Sequence, residues 1–124
     1  MYITSSGGTW SSERWTSITT DADGTGTQVW GQGDGTLGSE AGDLTDQPFS
    51  GECGQTYYIN AYDTYGDGWN DGMYEIWTGA GKTGTLVANN GGVSPDDGAD
   101  GAGLETSEAF TFVCEVRHFP YVFF

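Results

Sequence analysis

Hydrophobic and polar residues alternate with the period of a β-strand at several places in this chain, most clearly in residues 57–63. The residues there that share one face are Tyr57, Ile59, Ala61 and Asp63. A second aromatic run at 73–77 follows a polar loop with the sequence DTYGDGWND. We therefore predict a β-hairpin over residues 57–77, around which the other strands are arranged.

The rest of the chain shows shorter runs of the same kind. Predicted strands are residues 2–5, 14–20, 27–30, 84–89 and 109–116. A strong turn signal, Asp21-Ala22-Asp23-Gly24, separates the second run from the third and predicts a hairpin. Residues 31–50 carry no periodicity and are predicted to be a long polar loop. Since runs of helix-forming residues are missing, we predict an all-β protein, an antiparallel β-sandwich that is jelly-roll-like.

A length of 124 residues is enough for one domain with a single core. The 22 glycines accompany an aromatic content of 15%, which indicates a folded chain with many turns rather than a disordered one. We assign residues 1–118 to a β-sandwich module and residues 119–124 to an aromatic C-terminal tail.

The net charge of −15 comes from 18 Asp and Glu residues against three Lys and Arg residues. Nucleic acid is therefore not expected as a partner, because too few cations are available to replace phosphate counterions. An anionic membrane surface is disfavoured for the same reason. No apolar run approaches the length needed to span a bilayer, so membrane insertion is not expected either.

Cys53 and Cys114 form an even pair, far apart in a small glycine-rich chain. This arrangement favours a disulfide and an oxidising compartment, and so an extracellular or cell-surface location. The alternative is two free buried thiols.

The loop DTYGDGWND is the best candidate for a site. Calcium prefers six to eight hard oxygen ligands, and acids spaced around glycine turns can direct several oxygens to one point. The predicted ligands are Asp63, Asp67, Asn70 and Asp71, together with main-chain carbonyls near Tyr65 and Trp69. In the alternative, the aspartates accept hydrogen bonds from the amides of the loop and bind no metal. Trp69 is predicted to be a core plug that anchors the loop.

Catalysis has little support in the sequence, and we predict that the protein is not an enzyme. The single histidine, His118, lies beside the aromatic tail, and neither cysteine has an activating base nearby in sequence. A small hydrolase that uses Asp63 and Asp67 is a weaker alternative.

Residues 62–70, YDTYGDGWN, resemble the DSYGDGWNG signature of many secreted and cell-surface microbial proteins, where it usually lies on a cysteine-containing β-sandwich module. The features that fit the order seen in such modules are Glu13, Trp15, Ile18, Asp23, Gly24, Cys53 and residues 57–69. Two departures are the Trp15 to Ile18 spacing, one residue longer than usual, and Asp71 in place of a small residue. The resemblance covers the chain up to about Trp77 and implies an extracellular, non-catalytic module.

The tail contains the predicted assembly residues Phe119, Tyr121, Val122, Phe123 and Phe124. Exposed aromatics favour association, so the tail is either a last strand of the domain's own core or a strand inserted into a neighbouring molecule. We expect a structural protein that forms a homopolymer, a fibre or surface appendage assembled head to tail. The alternative is a carbohydrate-binding module in which Trp10, Trp30 or Trp77 stacks on glycans.

Overall fold

Eight strands form the framework of residues 1–99 and 101–114, the part of the chain that this computed structural model describes. In chain order the strands are β1 (Tyr2–Ser6), β2 (Arg14–Thr19), β3 (Gln28–Gly31), β4 (Leu44–Pro48), β5 (Thr56–Asp63), β6 (Met73–Gly79), β7 (Thr83–Ala88) and β8 (Gly103–Thr111). Three 3-10 helices of three residues each lie between strands, at Ser11–Glu13, Ala22–Gly24 and Asn90–Gly92. No helix in these ranges is long and apolar enough to cross a membrane.

The strands form two four-stranded antiparallel sheets. The first sheet has the order β4-β1-β6-β7 and the second has the order β3-β2-β5-β8. This arrangement confirms the predicted all-β antiparallel sandwich, and the eight strands in two sheets match the strand count of a jelly roll. The predicted hairpin of β2 and β3 is also confirmed, because Ile18 pairs with Trp30.

The core lies between the sheets and takes apolar residues from both. Its most deeply buried aliphatic members are Ile3, Ile18, Ile59 and Ile76. The prediction for β5 is confirmed, since Tyr57, Ile59, Ala61 and Asp63 are all buried. A period-two pattern with one buried face is what such a strand requires.

The predicted hairpin over residues 57–77 is wrong. β5 pairs with β2 and β8 in the second sheet, whereas β6 pairs with β1 and β7 in the first sheet. Because both neighbours of each strand are already taken, the connection between β5 and β6 must cross from one sheet to the other. We call this connection, residues 64–72, the crossover loop.

Two strand boundaries also differ from the prediction. The segment 31–50 is not an uninterrupted loop, because β4 pairs with β1 within it. The last described strand, β8, starts at Gly103 and ends at Thr111, earlier than the predicted 109–116. The tail residues Phe119, Tyr121, Val122, Phe123 and Phe124 lie outside the described residues, as does the predicted domain limit at 118.

Cys53 and Cys114 form the predicted disulfide, with their Cα atoms 5.3 Å apart. The bond connects the segment before β5 to the segment after β8, and Gly54 N donates to Phe112 O beside it at 2.9 Å. The ends of two neighbouring strands are thus held together covalently.

Removing this disulfide should destabilise the fold. For the 61-residue separation, the loop-entropy relation gives a loss of about 4 kcal/mol in the free energy of unfolding. Urea unfolding of a Cys53→Ser, Cys114→Ser double variant measures this loss, and the reduced wild-type protein is the matched control. An unchanged unfolding midpoint would contradict the prediction.

Candidate functional site

The crossover loop begins at a buried carboxylate. Asp63, the last residue of β5, is fully buried. Its Oδ1 accepts a hydrogen bond from Tyr65 N at 2.9 Å, and its Oδ2 accepts one from Asp67 N at 2.8 Å. The side chain therefore shapes the first turn of the loop, as Asp commonly does in turns.

Trp69 anchors the middle of the crossover loop in the core, which confirms its predicted role as a plug. Its side chain is 1% exposed and packs edge to face with Tyr74 of β6 at a centroid distance of 6.0 Å. Its indole Nε1 donates to Tyr62 O of β5 at 2.9 Å. Buried tryptophan requires such a partner for its N–H group. Through this one residue the loop contacts both sheets.

Arg14 of β2 covers the plug. Its guanidinium carbon lies 5.8 Å from the centre of the Trp69 ring, a cation–π distance. The same group donates to Gly7 O and Thr9 O and pairs with Asp43 at 3.5 Å. Burial lowers the pKa of Arg14, and the neighbouring Asp43 carboxylate offsets part of this effect.

Close backbone contacts fix the rest of the crossover loop. Thr9 N donates to Asn70 O at 3.1 Å, and a Cβ added to Gly8 would lie 2.1 Å from that oxygen. On the other side, Trp69 N donates to Pro95 O at 2.9 Å. A Cβ on Gly66 would lie 2.2 Å from the carbonyl carbon of Gly101. The segment at residues 8–9 and, in a second segment, residues 95 and 101 therefore both contact the main chain of the loop.

Three carboxylates meet at the base of the crossover loop. One oxygen from each of Glu13, Asp63 and Asp67 lies within 4.8 Å of the others, and we call this group the carboxylate cluster. Such a set of hard oxygens could hold a metal ion. In the described ranges the two ion pairs are Arg14 with Asp43 and Lys82 with Glu75, so neither neutralises the cluster.

The structure brings together only part of the predicted ligand set. Asp63 and Asp67 belong to the carboxylate cluster, whereas Asp71 is exposed and lies outside it. In the orientation that suits its neighbours, the Asn70 amide nitrogen donates to Asp67 Oδ1 at 3.2 Å. The carbonyl oxygen of Trp69, which is also a predicted ligand, accepts a hydrogen bond from Gly72 N at 2.9 Å.

Glu13 is the cluster member that sequence analysis missed as a ligand. It ends a 3-10 helix directly before β2, and its carbonyl oxygen accepts a hydrogen bond from Thr64 N at 2.9 Å. The pairing of Arg14 with Asp63 sets this position. Only the register of β2 against β5 would have revealed it, and no local motif encodes that register.

The surroundings of the Glu13 carboxyl group shift its pKa. Its pKa is raised above about 4.5, first by desolvation and then by the charges of Asp63 and Asp67. The folded protein therefore holds this proton more tightly than the unfolded chain does. The resulting stabilisation is complete below the unfolded pKa and is lost as the pH rises through the folded value.

A second acidic group consists of Asp96, Asp97 and Glu105. Glu105 is 6% exposed, and its Oε1 accepts from Asp97 N at 3.2 Å. Burial is the main cause of its raised pKa. This group could also hold a cation, although its buried member already has a main-chain partner.

The tryptophans predicted to stack on sugars differ in exposure. Trp10 is 65% exposed, whereas Trp30 and Trp77 are half-buried. Trp30 packs against the core cluster. Trp10 lies beside the carboxylate cluster, where it lines a cleft of about 240 Å³ with Glu13, Tyr65 and Asp67. We call this the aromatic cleft.

Comparison of the chain with models of protein families, with curated protein sequences and with solved structures finds no match. A function must therefore be argued from the geometry of the chain itself.

The close backbone contact at Gly8 can be tested. Gly8 has a φ of +61°, and a Cβ there would meet the Asn70 carbonyl, so Gly8→Ala combines left-handed strain with a backbone clash. Gly91→Ala is the matched control, because its φ is +67° and no atom lies within 4 Å. We expect a loss of about 1 kcal/mol for the control and of about 3 kcal/mol or more for Gly8→Ala.

Chemical denaturation of the two variants measures this difference. Equal losses would show that the segment before β2 does not hold the crossover loop as the structure indicates.

Proposed function

We propose that the protein is a non-catalytic, extracellular structural module, clamped by calcium at its crossover loop and assembled with copies of itself into a fibre. The observation that carries this proposal is the construction of the carboxylate cluster. One oxygen from each of Glu13, Asp63 and Asp67 lies within 4.8 Å of the others, at the base of the crossover loop. The cluster is thus built into the connection between the two sheets.

The same geometry argues against a hydrolase that uses Asp63 and Asp67. A catalytic nucleophile or acid must contact the substrate, and Asp63 is 0% exposed. Both of its oxygens already accept amide hydrogens. A structural role agrees better with this burial than turnover does.

Calcium is the metal that the donor set favours. The available ligands are carboxylate oxygens, and the cluster contains neither histidine nor cysteine. Hard oxygen donors suit calcium, whereas zinc prefers nitrogen and sulfur. A divalent ion would also relieve the mutual repulsion of Glu13, Asp63 and Asp67 and draw β2 and the loop together.

An extracellular location is supported by the disulfide. Such bonds persist in oxidising environments and are frequent in small secreted domains, which have limited cores. The net charge of −15 gives no surface for nucleic acid or anionic lipid.

Assembly is supported by the open sheet edges together with the apolar tail. β7 ends the first sheet and pairs with β6 alone among the described strands, and its residues 83–86 are exposed. β8 ends the second sheet, and the disulfide at Cys114 follows it closely. An apolar strand from residues 119–124 of a second copy would complete such an edge by strand addition.

The calcium clamp predicts a metal-dependent stability. At a calcium concentration about 100 times the dissociation constant, the wild-type protein should gain about 2.7 kcal/mol over its chelated form. Glu13→Gln should lose most of this gain. Without calcium it should be at least as stable as wild type, because one of three repelling charges has gone. Thermal unfolding with calcium and with a chelator measures both effects.

Glu52→Gln is the control for the clamp, since it removes the same charge from an exposed residue outside the cluster. An absent calcium response in the wild type, or an equal response in Glu13→Gln, would remove calcium from the proposal.

The fibre predicts that residues 119–124 are required for assembly. Electron microscopy and sedimentation of the full chain should show filaments, whereas a variant that ends at His118 should be monomeric. Unfolding of the shortened variant under reducing and non-reducing conditions checks that its fold and disulfide are intact. Filaments from the shortened variant, or monomers from the full chain, would contradict strand addition by the tail.

A further inference from the structure

The aromatic cleft is a concave surface with two large exposed rings. Trp10 is 65% exposed and Tyr65 is 71% exposed, and these are the two highest values among the exposed large hydrophobic side chains of the described chain. Both line the same cleft of about 240 Å³. Paired aromatic faces in a concave site are a common feature of ligand-binding surfaces.

Hydrogen bonds hold the main chain of the two residues that carry the rings. Trp10 has a left-handed backbone, with φ 60° and ψ 41°, and its carbonyl accepts a hydrogen bond from Glu13 N at 3.1 Å. Tyr65 N donates to the buried Asp63 at 2.9 Å. The main chain at both residues is therefore anchored, which reduces the entropy that ligand binding would cost.

The cleft lining also includes two carboxylates. Glu13 Oε2 is buried and has no hydrogen-bond partner among the described residues. Asp67 supplies a second carboxylate to the same cleft. The carboxylates of the lining can accept hydrogen bonds but cannot donate them when ionised, so they favour a ligand that donates.

These features narrow the class of ligand. Anions are disfavoured, because the cleft has two carboxylates and no Lys or Arg in its lining. A wholly apolar ligand or a quaternary ammonium would give the carboxylates no hydrogen-bond donor. A small primary ammonium supplies N–H donors but has no apolar face large enough to cover two rings. A sugar ring offers both an apolar C–H face for the aromatic rings and hydroxyl groups that donate to carboxylates.

We propose that the aromatic cleft binds a neutral saccharide, with Trp10 and Tyr65 against the faces of the sugar and with Glu13 and Asp67 accepting its hydroxyl groups. The site requires only the folded module and stands whether or not the protein forms fibres. It also differs from the sugar surface predicted from the sequence, because it uses Tyr65 and leaves out Trp30 and Trp77.

Titration of the full chain with a panel of neutral mono- and disaccharides tests the site by NMR and by tryptophan fluorescence. The titration is run in saturating calcium and again in a chelator, because the cleft shares Glu13 and Asp67 with the carboxylate cluster. Saccharide binding in either buffer, localised to the cleft, is the expected result.

Three variants assign the binding to the cleft. Trp10→Ala and Tyr65→Ala should each weaken saccharide binding about tenfold, the equivalent of about 1.4 kcal/mol of lost stacking. Glu13→Gln should weaken it as well. Val93→Ala removes an exposed apolar side chain elsewhere and should have no effect.

Unfolding midpoints of Trp10→Ala and Tyr65→Ala should match that of the wild type, because both side chains are largely exposed. The proposal is overturned if no saccharide binds, if both alanine variants bind as well as wild type, or if methylamine or choline binds in place of saccharides. None of these outcomes bears on filament formation, which the shortened variant tests independently.

Discussion

The packing of Arg14 on Trp69 is the interaction on which the arrangement of this protein depends. Arg14 belongs to the second sheet, and Trp69 lies on the crossover loop and contacts Tyr74 of the first sheet. A polar loop with three glycines would otherwise contribute little to a core. Since the indole is 1% exposed and donates to Tyr62 O, the loop is fixed to both sheets at its midpoint.

The burial of the Arg14 cation constrains the two segments that pack around it. A guanidinium remains charged at all ordinary pH values, so its burial requires acceptors in place of water. Gly7 O, Thr9 O and Asp43 provide them for Nη1 and Nη2, whereas Nε is buried with no hydrogen-bond partner among the described residues. Gly72 leaves the necessary space, because a Cβ there would lie 2.3 Å from the Arg14 Nη1 atom. One cation thereby positions the segment before β2 and the end of the crossover loop.

Much of the strand pattern was predictable from the sequence, but the assignment of strands to sheets was not. Alternation in β5 shows which face is buried, yet it does not show which strands lie beside it. The hairpin over 57–77 was wrong for that reason. β4 was missed because LTDQP contains a single buried apolar residue, Leu44. The local motif did locate Asp63, Asp67 and the Trp69 plug, since those depend on neighbours within a few residues.

The same reasoning could not identify Glu13, because its position near Asp63 and Asp67 depends on how β2 pairs with β5. The residue after Glu13 shows why neither ion pair of the described residues includes the cluster. Arg14 is the next residue and the register partner of Asp63, but its guanidinium is taken by Asp43 and two carbonyls. The Asp63 carboxylate instead accepts hydrogen bonds from two amides of the crossover loop. The basic side chain next to Glu13 in the sequence therefore pairs with other groups and not with the cluster.

Glu13 and Asp67 belong both to this cluster and to the aromatic cleft, so a cation and a saccharide would act on the same two side chains. The coupling between them must be reciprocal: if calcium changes the affinity for the sugar, the sugar changes the affinity for calcium by the same factor. A calcium ion that left a coordination position toward the cleft would strengthen sugar binding, because hydroxyl oxygens could then complete its shell. An ion that drew Glu13 away from the cleft would weaken it by removing the unpaired acceptor. The sign of the coupling therefore reports whether Glu13 Oε2 faces the ion or the ligand.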